Sequence, residues 1–378
     1  MNPTKLPLLD AYRNGGYQVD LYADGTKVRQ EIDAALPPKL PEQLDLKATD
    51  WCDAGCAWCH EGSTTKGTHC DVDRTLALFK DMLPGTEIAI GGGDPLSHPE
   101  FERLVRGLRS YGIAPSVTVN GRHFERHRET LERLTRDKQL FGVGVSYHDS
   151  IPDWDYEHMV LHLIAGVNHP SVLDEAKRRM KVLLLGYKRF GRGKKLFEVR
   201  TQQVQDTIAA WYRELFVVAQ NHHLSFDNLA IEQLKPERLF KDPEAYRSQY
   251  MGPEGQFSMY VDAVTETFAL SSYSPDRFGW SNLQDMFAQV RQSQGYAVAE
   301  AARGEMQVQH HQLHRLWVNQ PSTKQPVHHL HGTRVLGYHE GTAWRVYLLA
   351  GDVISQLIPS SALSAGWPKH LMEAPACH

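Results

Sequence analysis

Cysteine is scarce in this sequence: five among 378 residues, at Cys52, Cys56, Cys59, Cys70 and Cys377. So few thiols, three of them crowded into one short stretch, do not make the paired framework of a disulfide-stapled fold. A second C-x2-C is missing, which removes the double knuckle of a structural zinc site. No run of 18 or more apolar residues occurs, so no membrane helix is expected. The opening MNPTKLPLLDAYRNGG lacks the apolar core of a secretory signal. A basic excess is lacking too: 41 Lys and Arg stand against 45 Asp and Glu, for a formal net charge of -4. No global field therefore indicates nucleic-acid binding. Internal repeats and long low-complexity tracts are absent. A cytoplasmic protein is the simplest expectation; there, thiols stay reduced and a cysteine cluster points to a metal. With 41% hydrophobic and 23% charged residues, the chain can form one large domain with additions, or two domains.

What is present begins with GYQVDLYADGTKVRQ, residues 16–30, which alternates on both sides of Asp24-Gly25 and predicts a hairpin. Residues 1–43 are expected to hold this hairpin and a stiff linker containing Pro37, Pro38 and Pro41. From residue 44, short apolar strands alternate with amphipathic helices. LDLKAT (44–49), EIAIGGG (87–93), SVTVN (116–120), FGVGVS (141–146), MVLHLIAGV (159–167), KVLLLG (181–186) and LSFDNLAI (224–231) read as strands. DVDRTLALFKDML (71–83) reads as a helix with acids in its first turn. Ser97 and Glu100 have capping-box spacing around Pro99, ahead of Phe101, Leu104, Val105 and Leu108 on one face; Gly112 stops that helix. Such βα alternation over 44–235 predicts an α/β fold with a parallel sheet, open or barrel-closed, and sites at the strand C-termini. Residues 236–378 read as an α+β extension. It has hairpins at 257–272 and 333–351, a helix at 281–292, and a poorly patterned stretch at 301–331.

The stretch DWCDAGCAWCHEGSTTKG (50–67) carries Cys52, Cys56 and Cys59 as C-x3-C-x2-C. Three thiolates at this spacing suit a soft metal centre. Zinc normally takes four protein ligands, for which His60, His69, Cys70 and the distant Cys377 are the candidates. A four-iron cluster held by only three cysteines keeps one iron open to a substrate or cofactor.

Cys52, Cys56, Trp58 and Cys59 after a strand, followed by GGGDP (91–95) after the next strand, resemble the radical S-adenosylmethionine (radical SAM) superfamily. The resemblance covers roughly residues 44–231. It implies a partial (β/α)6 barrel and a [4Fe-4S] cluster on Cys52, Cys56 and Cys59. S-adenosylmethionine would lie on the open iron, and reductive cleavage would yield a 5'-deoxyadenosyl radical that abstracts hydrogen from a substrate. It implies an external one-electron donor, flavodoxin- or ferredoxin-like. Trp58, Gly91, Gly92, Gly93 and Asp94 would be cofactor contacts, with Asp94 where the family has glutamate. Asn120 and Ser146, at the ends of the third and fourth barrel strands, would join them. With only Cys377 beyond Cys70, an auxiliary cluster is not expected.

The remaining candidates carry plainer readings beside the functional ones. His60 and Glu61 line the expected cavity or form a helix first turn. GYKRFGRGKK (186–195) brings Lys188, Arg189 and Arg192 to the end of the sixth barrel strand, as an anion site or a solvated basic loop. His310, His311, His314, His328, His329 and His331 show no ligand spacing and read as irregular polar surface. Two substrate classes follow: a peptide or protein residue, or a nucleotide-like small molecule. The alternative to an enzyme is a non-catalytic metal-binding or regulatory protein with a structural iron-sulfur or zinc site.

Overall fold

The first three strands, β1 (Leu8–Asn14), β2 (Tyr17–Tyr22) and β3 (Lys27–Glu31), form a small sheet in the order β1-β2-β3. The structure is a computed structural model that describes residues 7–23, 26–33 and 35–294 and the strands at 327–330, 333–340, 343–350 and 353–358. The predicted hairpin is β2 and β3, with its turn residues Asp24 and Gly25 outside the described residues. β1 was not foreseen, because LLDAYRN does not alternate cleanly and its pairing with β2 shifts register between Leu8 and Asp10. Tyr12, Tyr17 and Val19 bury one face of this sheet against Phe257. Arg29 stacks over the Phe257 ring and bonds buried Glu42 through Nε at 2.9 Å.

The main body alternates as the sequence suggests. In order come β4 (Gln43–Thr49), α1 (Val72–Phe79), β5 (Glu87–Gly92), α2 (Phe101–Ser110), β6 (Ala114–Asn120), α3 (Gly121–Arg136), β7 (Gly142–Ser146), β8 (Met159–Ile164) and β9 (Lys181–Leu185). α4 (Gly191–Asn221), β10 (His223–Phe226), α5 (Asn228–Leu234) and α6 (Pro243–Gln249) follow. Then come β11 (Ser258–Asp262), β12 (Thr267–Ala269), β13 (Phe278–Gly279) and α7 (Leu283–Ser293). Ten strands form one sheet in the order β10-β9-β8-β7-β6-β5-β4-β11-β12-β13. All pairings from β10 to β11 are parallel. This is a mixed α/β fold with a parallel sheet whose strands run from β4 in sequence order, the arrangement of a partial barrel. No α-helix lies between β7 and β8, and a short 3-10 turn at Pro170–Glu175 stands between β8 and β9.

Two local expectations are corrected. The Ser97/Glu100 capping box does not form: α2 starts at Phe101 without a side-chain cap. The Ser97 hydroxyl instead bonds Asp94, and His98 Nδ1 accepts from the Glu100 amide at 3.0 Å. LSFDNLAI is a strand only to Phe226; Asp227 then N-caps α5 through the Ala230 amide, the ordinary use of Asp at that position. The hairpin at 257–272 is β11 and β12; β11 also pairs with β4 in parallel, residues Ser258 to Asp262 against Gln43 to Lys47, and so continues the sheet.

Strand alternation explains which face does what. Leu44, Leu46 and Ala48 of β4 are buried in the main core with Ile88 and Ile90 of β5 and the whole apolar face of α2. Each large α2 side chain buried there contributes roughly 1.5–3 kcal/mol. Gln43, Asp45 and Lys47 therefore point to the opposite face, where strands β4 to β11 together line a cavity. Among the described residues the sheet does not close by backbone hydrogen bonds. Side chains from the segment after β9 meet the segment after β12 instead: Lys188 Nζ donates to Ser272 Oγ at 2.9 Å, and the Phe190 and Tyr273 rings lie 6.3 Å apart.

By its contacts the chain divides into two compact units, Met1–Gln30 with Pro38–Gln294, and Glu31–Pro37 with Gly295–His378. Within the second, β14 (Val327–Leu330), β15 (Thr333–Glu340), β16 (Ala343–Ala350) and β17 (Val353–Ile358) form an antiparallel sheet in that order. β15 and β16 are the predicted hairpin, with Glu340 opposite Ala343. His328 and His329 fall in β14, whereas His310, His311, His314, His331 and Cys377 lie outside the described residues. Among the described residues no helix is long and apolar enough to cross a membrane.

Candidate functional site

β4 ends at Thr49, and the cysteine loop begins there. Its backbone is held from several sides. The Cys52 amide donates to Thr64 O at 3.0 Å, and Thr64 returns its amide to Asp50 O at 3.2 Å. Beyond β5, the Gly93 and Asp94 amides donate to Thr49 O and Trp51 O, both at 2.7 Å. A Cβ on Gly93 would overlap the Trp51 carbonyl, and one on Gly92, at φ +109°, would overlap Thr49 O. Only glycine fits so close an approach of two backbones. Gly91 differs: nothing lies within 4 Å of a Cβ built there, and it faces the cavity.

The opposite wall grips the same loop. Arg192, in the first turn of α4, donates through Nε to Cys56 O at 2.8 Å and through Nη1 to Ser63 O at 2.9 Å. Its backbone amide donates to Cys59 O at 2.9 Å. Gly191, at φ +51°, would place a Cβ 2.5 Å from His60 O, and Gly193 one 3.1 Å from Trp58 O. Arg122 adds a bond from Nη1 to Ala54 O at 3.0 Å.

Held this way, Cys52, Cys56 and Cys59 line a cavity of about 520 Å³ together with Trp58, Gly91 to Gly93, Asn120 and Ser146. Asn120 and Ser146 are register partners at the ends of β6 and β7. Asn120 donates from Nδ2 to Cys56 Sγ at 3.4 Å, while its Oδ1 caps α3 through the Arg122 amide at 3.0 Å. Burial pushes the Cys52 and Cys56 thiols above their ordinary range, while the Ala54 amide pulls Cys52 back and Asn120 pulls Cys56 back. Three free thiols, an amide donor and backbone with open space beside it suit a thiolate-ligated centre with a ligand beside it.

Residues 46–167 match the family model for the radical SAM superfamily. This segment is a radical SAM domain. No curated protein matches the chain. Among solved structures, the chain is similar to SuiB of Streptococcus suis bound to the precursor peptide SuiA. The TM-score is 0.45 and identity 13%, covering 68% of this chain and 67% of that one. SuiB bound to S-adenosylmethionine gives 0.44 and 11%, with 68% of each chain covered. BtrN in complex with AdoMet and 2-DOIA gives 0.35 and 10%, covering 70% of this chain and 90% of that one.

The radical SAM domain brings most of the sequence candidates together, and leaves two aside. The Asp94 side chain turns away from the cavity into a cationic nest. It receives Ser97 Oγ, His127 Nε2 at 3.0 Å and the Arg126 guanidinium; Arg126 also grips Asp53 with bonds of 2.8 and 3.0 Å. Burial alone would raise the Asp94 carboxyl, but hydrogen bonds from His123, His127, Ser97 and Arg126 outweigh it and hold it far below the usual carboxylate range. Arg189 is exposed and lies over the Phe197 ring, 3.7 Å from its centroid, and does not line the cavity.

His60, Glu61, Lys188 and Arg192 do line it. His60 Nε2 is 3.2 Å from Ser272 Oγ and 3.4 Å from Glu61 Oε1. Burial, aided by the nearby Lys188 charge, pushes the His60 imidazole toward its neutral form. Glu61 accepts from Tyr260 OH at 3.1 Å and pairs with Lys47 at 3.2 Å. Burial raises its carboxyl, but the hydrogen bond and charge interaction with His60, and then those with Lys47, carry it down to about 2. Lys47 also pairs with Asp50 at 2.6 Å and Asp262 at 3.0 Å. Sequence reasoning missed Asp45, Lys47, His162 and Tyr260 on the cavity wall. The period-2 pattern of LDLKAT could have pointed to Asp45 and Lys47, which alternate with core leucines.

Proposed function

We propose that the protein is a radical SAM enzyme, with a [4Fe-4S] cluster on Cys52, Cys56 and Cys59 and S-adenosylmethionine along Gly91, Asn120 and Ser146. When bound and reduced by an external one-electron donor, the pair would supply a 5'-deoxyadenosyl radical that abstracts hydrogen from a substrate. The observation that carries this reading is the opening of all three thiols into one cavity that also exposes Gly91, Asn120 and Ser146.

The chain's own residues have distinct tasks in this scheme. The Gly92 and Gly93 backbone and the Arg192 side chain fix the cysteine loop from two walls. Asn120 supports a thiolate at Cys56 by hydrogen bonding, which favours the charged form a metal needs. The sheet-closing contacts of Lys188 and Phe190 keep water from one flank of the cavity.

Anaerobic reconstitution with iron and sulfide tests the proposal. Wild-type protein should take up four irons per chain and, with dithionite and S-adenosylmethionine, release 5'-deoxyadenosine. Replacing Cys52, Cys56 and Cys59 together by Ala should abolish both. Stoichiometric zinc in a colourless wild-type protein, or four irons retained by the triple variant, would falsify it.

A further inference from the structure

Asp45 stands mid-strand on β4 with its side chain on the cavity face, between Ala89 of β5 and Tyr260 of β11 in register. Its accessible surface opens into the cavity, so the carboxylate is surrounded by protein although it is not covered. Among the described residues it makes no hydrogen bond and no ion pair, in contrast to Glu61, which is held by Lys47 and Tyr260. Asp227 on the same wall is also engaged: its Oδ1 accepts from the Gly186 and Ala230 amides at 2.9 and 2.7 Å.

Cationic groups that could serve an anionic ligand are mostly committed elsewhere. Arg192 is spent on two loop carbonyls and Arg189 lies outside, leaving Lys188, whose Nζ bonds only the Ser272 hydroxyl. The cavity thus holds one carboxylate that makes no hydrogen bond and no contact ion pair, and the Lys188 ammonium acts on it only through space. Leu183 and Phe226 line the cavity beside polar groups such as Ser116, Thr118 and His162. The protein around Asp45 pushes its carboxyl upward, Lys188 offsets this in part, and Asp227 and Glu61 push it up again. A carboxylate open to a cavity, unengaged by its neighbours and shifted in this way is characteristic of a ligand site.

Building on the radical SAM reading, we infer that Asp45 is a specificity residue that receives a protonated amine of the substrate. Lys188 repels a second cation, so the ligand class is a compound with one cationic amine beside neutral or acidic groups, of the kind found in amino acids and amino sugars. The nucleotide-like anion suggested by the basic loop is thereby disfavoured.

The test is calorimetric titration of reconstituted protein, in the presence of S-adenosylmethionine, with L-norvaline, L-glutamate and glucosamine, each beside its N-acetyl counterpart. The wild type should bind at least one free amine some tenfold tighter than its acetylated form, and Asp45→Asn should lose that preference. Asp45→Asn should also raise Tm, since it removes an unpartnered carboxylate; a merely structural carboxylate would lower it. If Asn does not fold, Asp45→Ser serves. Equal binding of free and acetylated forms by the wild type, or an amine preference that survives in the variant, overturns the inference. Iron content and 5'-deoxyadenosine release are measured on the same wild-type preparation. Their loss defeats the parent reading, whereas their presence without an amine preference defeats only this inference.

Discussion

Gly91, Gly92 and Gly93 are identical neighbours in unlike surroundings. A Cβ at Gly93 would run into the Trp51 carbonyl, while one at Gly91 would meet nothing and face the cavity. Gly93→Ala should therefore displace the cysteine loop, lowering both Tm and iron content. Gly91→Ala should keep the fold and the iron but weaken S-adenosylmethionine binding about tenfold, as read by equilibrium dialysis. The two results together separate backbone packing from ligand contact; equal loss of iron in both would reject the assignment. The motif GGGDP announced a special backbone in the sequence, but period and composition say nothing of which glycine meets which neighbour. Asp94 shows the same limit. Its place after the glycines was legible, but its partners His123, His127 and Arg126 come from α3, some 30 residues on, and no local pattern joins them.

At the scale of elements, the start of α4 is a clamp. The sequence GRG after β9 looked like part of a basic loop, and its charge suggested an anion. The structure uses the guanidinium on carbonyl oxygens of Cys56 and Ser63, and the two glycines as room for the loop backbone. Arg192→Ala should cost about 1–3 kcal/mol, the range for leaving buried partners unpaired. It should also speed hydrogen exchange across residues 52–64 and lower iron retention. Arg192→Lys should restore little, because a point ammonium cannot span two carbonyls as the planar fork does. Slow exchange unchanged in both variants would remove the clamp. The strands of the main sheet from β4 to β9, and helices α1, α2 and α7, were legible because LDLKAT, EIAIGG and the α2 face repeat at 2 and near 3.6 residues. β1 and the second half of LSFDNLAI were not, because a bulge and an Asp cap break those periods.

At the scale of the molecule, Lys47 of β4 joins two further regions: the cysteine loop through Asp50 and Glu61, and β11 through Asp262. The folded-state carboxyl of Glu61 lies at about 2 against an ordinary 4.5, so its contribution is complete above pH 4.5 and fades as pH falls toward 2. Urea unfolding of the apoprotein should therefore lose about 2 kcal/mol between pH 5 and 3 beyond the loss seen in Glu61→Gln. Parallel pH profiles would place the effect elsewhere. The partnership was invisible in the sequence, since Lys47 and Asp262 are 215 residues apart.

That distance has a consequence in time. β4 lies between β5 and β11, so it remains an edge strand until Asp262 has been made. At about 5–20 residues per second, synthesis of the intervening chain takes roughly 10–40 s. Throughout that interval the cysteine loop hangs from an unfinished sheet, with neither the α4 clamp nor β11 in place at first. A nascent chain stalled before residue 258 would present the three thiols next to an unpaired strand edge.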